Sequence, residues 1–174
     1  MRSLVDVLSH YAAYHRDPRN IATHFVGIPL IVVAVAVLLG RPALLAGGVS
    51  LTPALAIAAV AAAYYLKLDV VLGALMAFPL LLAAILGAWA GALPTREWLL
   101  AGSSTFVAGW IIQFIGHAWE GRKPAFADDL IGLAIGPLFV LCELLFAVGL
   151  RPELKRAVES RVGPARRGTA RSRA

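Results

Sequence analysis

A single cysteine, Cys142, stands in 174 residues, which excludes an intramolecular disulfide and a thiolate metal cage. It reads as a small apolar filler in a membrane helix. Charge is scarce too: Asp, Glu, Lys and Arg make up 15% of the chain, against about 25% in a soluble domain. Hydrophobic residues reach 60% and the mean hydropathy is +0.79. That exceeds what a soluble core uses, so lipid is the solvent for most of the chain. The start, MRSLVDVLSHYAAYH, lacks an uninterrupted apolar core because Asp6, His10 and His15 break it, so a cleavable signal peptide is not expected. Aromatic residues are missing from among the cations of the C-terminal end, which argues against nucleic acid as a partner and for an anionic lipid surface.

What is present is a series of apolar stretches. Several reach the roughly 20 residues that a helix needs to cross about 30 Å of hydrocarbon. In lipid, backbone groups must be satisfied within each segment. The expected fold class is therefore all-α: a polytopic transmembrane helical bundle in a single integral membrane domain, residues 1–150. Leu4, Leu8, Tyr11 and His15 share one helical face, so residues 1–16 form an amphipathic, interfacial helix. Asp17-Pro18 supplies a cap and a proline at the first helical position, restarting the chain in a new direction. Four spans are expected, at residues 21–39, 43–66, 70–93 and 98–119. A fifth apolar stretch, residues 130–150, contains Gly136-Pro137 and Glu143, with Asp128 and Asp129 as caps.

Positive charge places the fifth stretch. If it enters and returns on one side, as a re-entrant or interfacial hairpin broken at Gly136-Pro137, only Arg41 and Arg96 lie outside. A full crossing would instead carry Arg151, Lys155, Arg156, Arg161, Arg166, Arg167, Arg171 and Arg173 outside, against the positive-inside rule. Residues 151–174 are accordingly expected to be a basic, disordered cytoplasmic tail. The protein is expected in the cytoplasmic membrane if its cell is prokaryotic, with both termini cytoplasmic.

On this topology His15 and His24 enter the first span on the side where His117 and Glu120 leave the fourth. Gln113, His117 and Glu120, spaced by four and three, share one helical stripe. A histidine and a carboxylate so spaced can both reach a metal, although polar residues at a helix end also simply meet headgroups. His15 and His24, nine residues apart, need the break at Asp17-Pro18 to converge. Neutral imidazoles with a carboxylate and no thiolate suit zinc or non-haem iron, with haem held by two histidines a weaker option. His10 lies off this face. Arg122 and Lys123 are candidates to hold a substrate carboxylate, and Glu143 is an intramembrane carboxylate with either a packing or a site role.

Two blocks resemble a known family. Tyr14-His15-Arg16-Asp17-Pro18-Arg19-Asn20 with His24 and Gly27-Ile28-Pro29, and then Gln113-Phe114-Ile115-Gly116-His117 with Glu120, Pro124 and Ala125, are similar to the signatures of the Mpo1-like membrane 2-hydroxy fatty acid dioxygenases, relatives of a eukaryotic enzyme of phytosphingosine breakdown. The resemblance runs over roughly residues 10–150. It implies an Fe(2+)-dependent α-oxidation, in which a long-chain 2-hydroxy fatty acid reacts with dioxygen and yields an acid one carbon shorter. It makes His15, His24 and His117 the candidate iron ligands, Glu120 a ligand or a supporting partner, and Asn20 and Gln113 supports. A zinc-dependent membrane lipid hydrolase and a non-enzymatic lipid-binding membrane protein are the alternatives.

Overall fold

Proline marks where several of the helices begin, because its missing N–H costs nothing at the first helical position and its φ is preset. Pro18, Pro53 and Pro152 each open one. The computed structural model describes residues 2–125 and 131–166. The elements run α1 Leu4–Ala12, α2 Pro18–Leu38, β1 Leu44–Ala46, β2 Val49–Leu51, α3 Pro53–Leu68, α4 Val70–Gly91, α5 Thr95–Glu120, α6 Ile131–Ala147 and α7 Pro152–Val162. Side chains cap several starts: Ser3 and Asp6 form a reciprocal capping box on α1, and Asp69 Oδ1 accepts from the Leu72 N–H at 2.9 Å to start α4. Among the described residues the fold is all-α apart from one short antiparallel hairpin.

Among the described residues, α2, α4 and α5 are long and apolar enough to cross a membrane. The expected second span, residues 43–66, is different. Gly47 and Gly48 both take positive φ, +58° and +79°, and turn β1 back onto β2. Only the 16 residues of α3 remain helical, about 24 Å at 1.5 Å per residue and shorter than the expected stretch. The fifth stretch also departs from expectation. Pro137 lies inside a continuous α6, and the chain bends instead between α6 and α7, by 114°. Gly149 (φ +79°) and Arg151 (φ +56°) make that bend, the glycine at no steric cost. A third correction concerns the basic end, which was expected to be disordered. Residues Pro152–Val162 are helical, opened by Pro152 with Glu153 in the first turn and Val158 buried. Asp128, Asp129, Leu130, Arg167, Arg171 and Arg173 lie outside the described residues.

The chain divides into two compact units, one of Met1–Val26 with Ile112–Ala174 and one of Gly27–Ile111. The second is packed through small residues. A Cβ on Gly87 would stand 2.6 Å from the Ala36 carbonyl carbon, so the backbones of α2 and α4 approach as helices do in lipid. Ala36, Ala54 and Ala83 form its core with Val32 and Leu39. Its outward side chains are large and apolar: Val60, Phe78 and Trp89 are 72%, 74% and 68% exposed. At one end the Arg41 guanidinium covers the Trp98 ring at 4.7 Å, and Trp98 Nε1 donates to the Val37 carbonyl at 2.6 Å. In the first unit α1 packs against α6 and α7, Leu8 and Leu138 are fully buried, and Arg161 of α7 pairs with Asp6 of α1 at 2.5 Å.

Candidate metal centre

The first unit buries what a membrane protein ordinarily keeps at its surface. His15, Asn20, His24, Gln113, His117 and Glu120 are all at most 6% exposed. Local structure brings three of them together. After α1 ends, two tight backbone bonds, from Tyr14 N–H to the Tyr11 carbonyl and from His15 N–H to the Ala12 carbonyl, carry the chain round to His15. Asp17 accepts from the Arg19 N–H at 2.9 Å, and its carbonyl accepts the first helical bond of α2, from Ile21. The break at Asp17-Pro18 thus swings His24 back towards His15. Their ring centroids stand 4.4 Å apart, and His117 of α5 lies 4.9 Å from His15 and 5.2 Å from His24. One nitrogen from each of the three lies within 4.8 Å of the others.

Hydrogen bonds fix the state of two rings. His15 Nδ1 meets the Tyr11 carbonyl at 2.7 Å, and His24 Nδ1 meets the Asn20 carbonyl at 2.8 Å. A carbonyl only accepts, so each Nδ1 carries the proton and each Nε2 keeps its lone pair, the arrangement found around metal-ligating histidines. His15 Nε2 and His117 Nδ1 are buried with no hydrogen-bond partner. Burial, reinforced by the neighbouring His24, holds the His15 imidazole well below its ordinary pKa although the Tyr11 carbonyl pulls the other way. The ring is neutral near pH 7. Three neutral, convergent nitrogen donors with orphaned atoms fit a divalent zinc or iron ion and leave coordination positions for other ligands.

Glu120 stands outside this donor group. Its Oε2 accepts from the Arg16 N–H at 2.9 Å, the Asp17 N–H at 2.7 Å and Asn20 Nδ2 at 3.2 Å, and Arg166 lies 3.4 Å from Oε1. The carboxylate therefore ties the end of α5 to the turn that carries His15. Asn20 joins the two, since its carbonyl also orients His24. Gly116 makes the contact possible: a Cβ there would collide with Thr23 Oγ1 and stand 2.5 Å from Asn20 Oδ1. Gln113 is buried on the same stripe of α5 as His117. Arg122 and Lys123 are exposed, and the Arg122 guanidinium donates to the Ala13 carbonyl at 2.9 Å. Glu143 is half-buried on α6. His10 is exposed, edge-on to Tyr14.

Sequence reasoning missed two contributors. Tyr11 stacks on His15 with centroids 4.1 Å apart and planes 6° from parallel, and Phe139 of α6 packs against both rings, 4.9 Å from Tyr11 and 5.5 Å from His15. The spacing of four between Tyr11 and His15 was a legible signal. The reach of the basic end was not: the Arg166 N–H donates to the Arg16 carbonyl at 2.8 Å, and Arg16 donates to the Gly163 carbonyl.

A helical membrane protein with a buried three-histidine donor group is the class that fold and site define. Comparison with known proteins makes it more particular. The family model described as 2-hydroxy-palmitic acid dioxygenase Mpo1-like matches residues 1–148. A 2-hydroxy-palmitic acid dioxygenase of Saccharomyces cerevisiae is 32% identical over 156 residues, covering 87% of this chain and 85% of the relative. The chain belongs to the Mpo1-like family, whose namesake is an oxygenase. No solved structure matches it.

Proposed function

We propose that the protein is an iron(II)-dependent dioxygenase that converts a long-chain 2-hydroxy fatty acid to the acid one carbon shorter. The observation that carries this reading is the buried trio His15, His24 and His117, with nitrogen lone pairs turned together inside a chain of this family. The overall change balances. The hydroxy acid and one dioxygen give the shorter acid, carbon dioxide and water, with four electrons passing from the C1–C2 unit to oxygen.

Bound iron would supply the redox chemistry and a charge that draws the substrate oxygens. The protein's own residues do the rest. The three imidazoles hold the ion, and the Tyr11 and Asn20 carbonyls fix two of them in the required tautomer. Glu120 holds the turn that carries His15. Burial excludes water from the reacting end, while the alkyl tail lies among the apolar spans. Arg122 and Lys123, just beyond the site end of α5, attract the carboxylate to that face. That face is the cytoplasmic one in this proposal, with both termini on it and the basic C-terminal end against anionic lipid.

The test is direct. Detergent-purified protein given ferrous iron, oxygen and 2-hydroxypalmitate is expected to consume oxygen and release the acid one carbon shorter. The triple variant His15→Ala, His24→Ala, His117→Ala is expected to do neither. Full activity in that variant, or oxygen-independent turnover supported by zinc, contradicts the proposal.

A further inference from the structure

Gln113 is buried to 4% exposure, and neither its Oε1 nor its Nε2 has a hydrogen-bond partner among the described residues. Its polar neighbours are each held at one end: Asn20 Nδ2 donates to Glu120, and Glu120 Oε2 accepts from two backbone N–H groups, so Asn20 Oδ1 and Glu120 Oε1 alone lack a hydrogen bond on those side chains, whereas Gln113 is unmet at both ends. Buried primary amides are rarely left with both ends unmet, because each orphaned atom forfeits its bond to water. A carboxamide with both ends open calls for a ligand that offers a donor and an acceptor together.

Position says where that ligand lies. In the first unit α5 runs antiparallel to α2: Glu120 meets Asp17 and Asn20, and Gly116 faces Asn20 and Thr23. Continuing one turn down α5 brings Gln113 level with His24. It shares the face of His117, about 6 Å deeper along the helix axis at 1.5 Å per residue. A ligand atom one or two bonds deeper than a carboxylate held at the histidine end falls within its reach.

We propose that Gln113 is the residue that recognises the substrate's 2-hydroxyl, and that it makes the site specific for 2-hydroxy acids over plain fatty acids. Oε1 accepts the hydroxyl proton, and Nε2 donates to the adjacent carboxylate oxygen. A fatty acid without the hydroxyl leaves Oε1 buried and unmatched, and a site built to bond a hydroxyl rejects the analogue that lacks it. This inference rests on the oxygenase reading of the site.

Its test separates binding from turnover. Displacement of radiolabelled 2-hydroxypalmitate from detergent-purified, metal-loaded protein, without oxygen, is measured with unlabelled 2-hydroxypalmitate and with palmitate. Wild type is expected to prefer the hydroxy acid by about tenfold or more. Gln113→Leu, and Gln113→Met should the leucine variant fold poorly, are expected to bring the ratio close to one while keeping wild-type metal content. Variants that retain the preference overturn the assignment and leave Gln113 a water-bonded packing residue. Variants that lose metal also overturn it, by making the amide a support of the histidines. A wild type that discriminates in binding but takes up no oxygen with 2-hydroxypalmitate contradicts the oxygenase reading and leaves the recognition role standing.

Discussion

The two units of the chain solve opposite problems. In Gly27–Ile111 the inside is apolar, with alanine and glycine at close helix contacts and Tyr65, Leu72 and Met76 buried beside them, and Thr52, the cap of α3, is buried there too. In the unit formed by residues 1–26 and 112–174, the inside holds three histidines, two amides and two carboxylates among the described residues. Such groups are costly to bury unless bonded or liganded. The difference teaches that one unit is an anchor held by close backbone packing, while the other carries a bonded frame around unsatisfied donors.

The largest expected effect breaks that frame. Glu120→Ala leaves the Arg16 and Asp17 N–H groups and the Asn20 amide without their acceptor, a loss of about 3 to 5 kcal/mol of stability. Metal affinity is expected to fall about 10- to 100-fold with it. Chemical denaturation and metal titration measure the two, and a variant as stable as wild type would show that the carboxylate does not hold the turn.

Paired glycine substitutions sharpen the contrast. Gly116→Ala forces a methyl group onto the Thr23 and Asn20 side chains and Gly87→Ala forces one onto the Ala36 backbone, each at about 1 to 3 kcal/mol. Only Gly116→Ala should weaken metal binding, because it pushes on Asn20 and Thr23 beside His24. Equal metal content per folded molecule in both variants would erase the distinction between the units.

Phe78→Ala on the outer face of α4 is expected to cost less than about 1 kcal/mol, since that side chain is 74% exposed and lipid replaces its contacts. Thermal unfolding in detergent checks this, and a loss as large as that for a buried leucine would show the face to be covered.

The smallest effect is a pH dependence. Hydrogen bonds from Arg161 and from Ser3 hold the Asp6 carboxyl well below the usual carboxylate range. A depressed folded value means that the pairing contributes fully above the unfolded pKa, about 3.9, and is lost as pH falls below it. Corrected for intrinsic exchange, the protection of the α7 amides should therefore fall below about pH 4 in wild type and change less with pH in Asp6→Asn. A parallel loss in both would remove Asp6 from the α1–α7 contact.

How much of this was legible in sequence follows the same division. Apolar length shows the α2, α4 and α5 spans, and Asp17-Pro18 shows the break that brings two histidines together. Composition could not show that Gly47-Gly48 would turn residues 44–51 into a hairpin, because the same apolar residues suit a span. Gly136-Pro137 looks like a breaker, yet α6 absorbs Pro137 and the bend falls where Gly149 and Arg151 adopt positive φ. For Glu120 the spacing of three from His117 fits a ligand and a frame residue equally well. The Arg16 and Asp17 N–H groups, far away in sequence, show that its Oε2 ties the frame together.

The central claim is that the first unit is a metal centre built by three histidines. Elemental analysis of gently extracted, detergent-purified protein tests it most directly, with wild type beside His15→Ala, His24→Ala and His117→Ala. The account predicts about one iron per wild-type chain and a large loss in each variant, with all four proteins folded. Wild type without bound metal even after incubation with ferrous iron, or variants that keep it in full, would contradict the account.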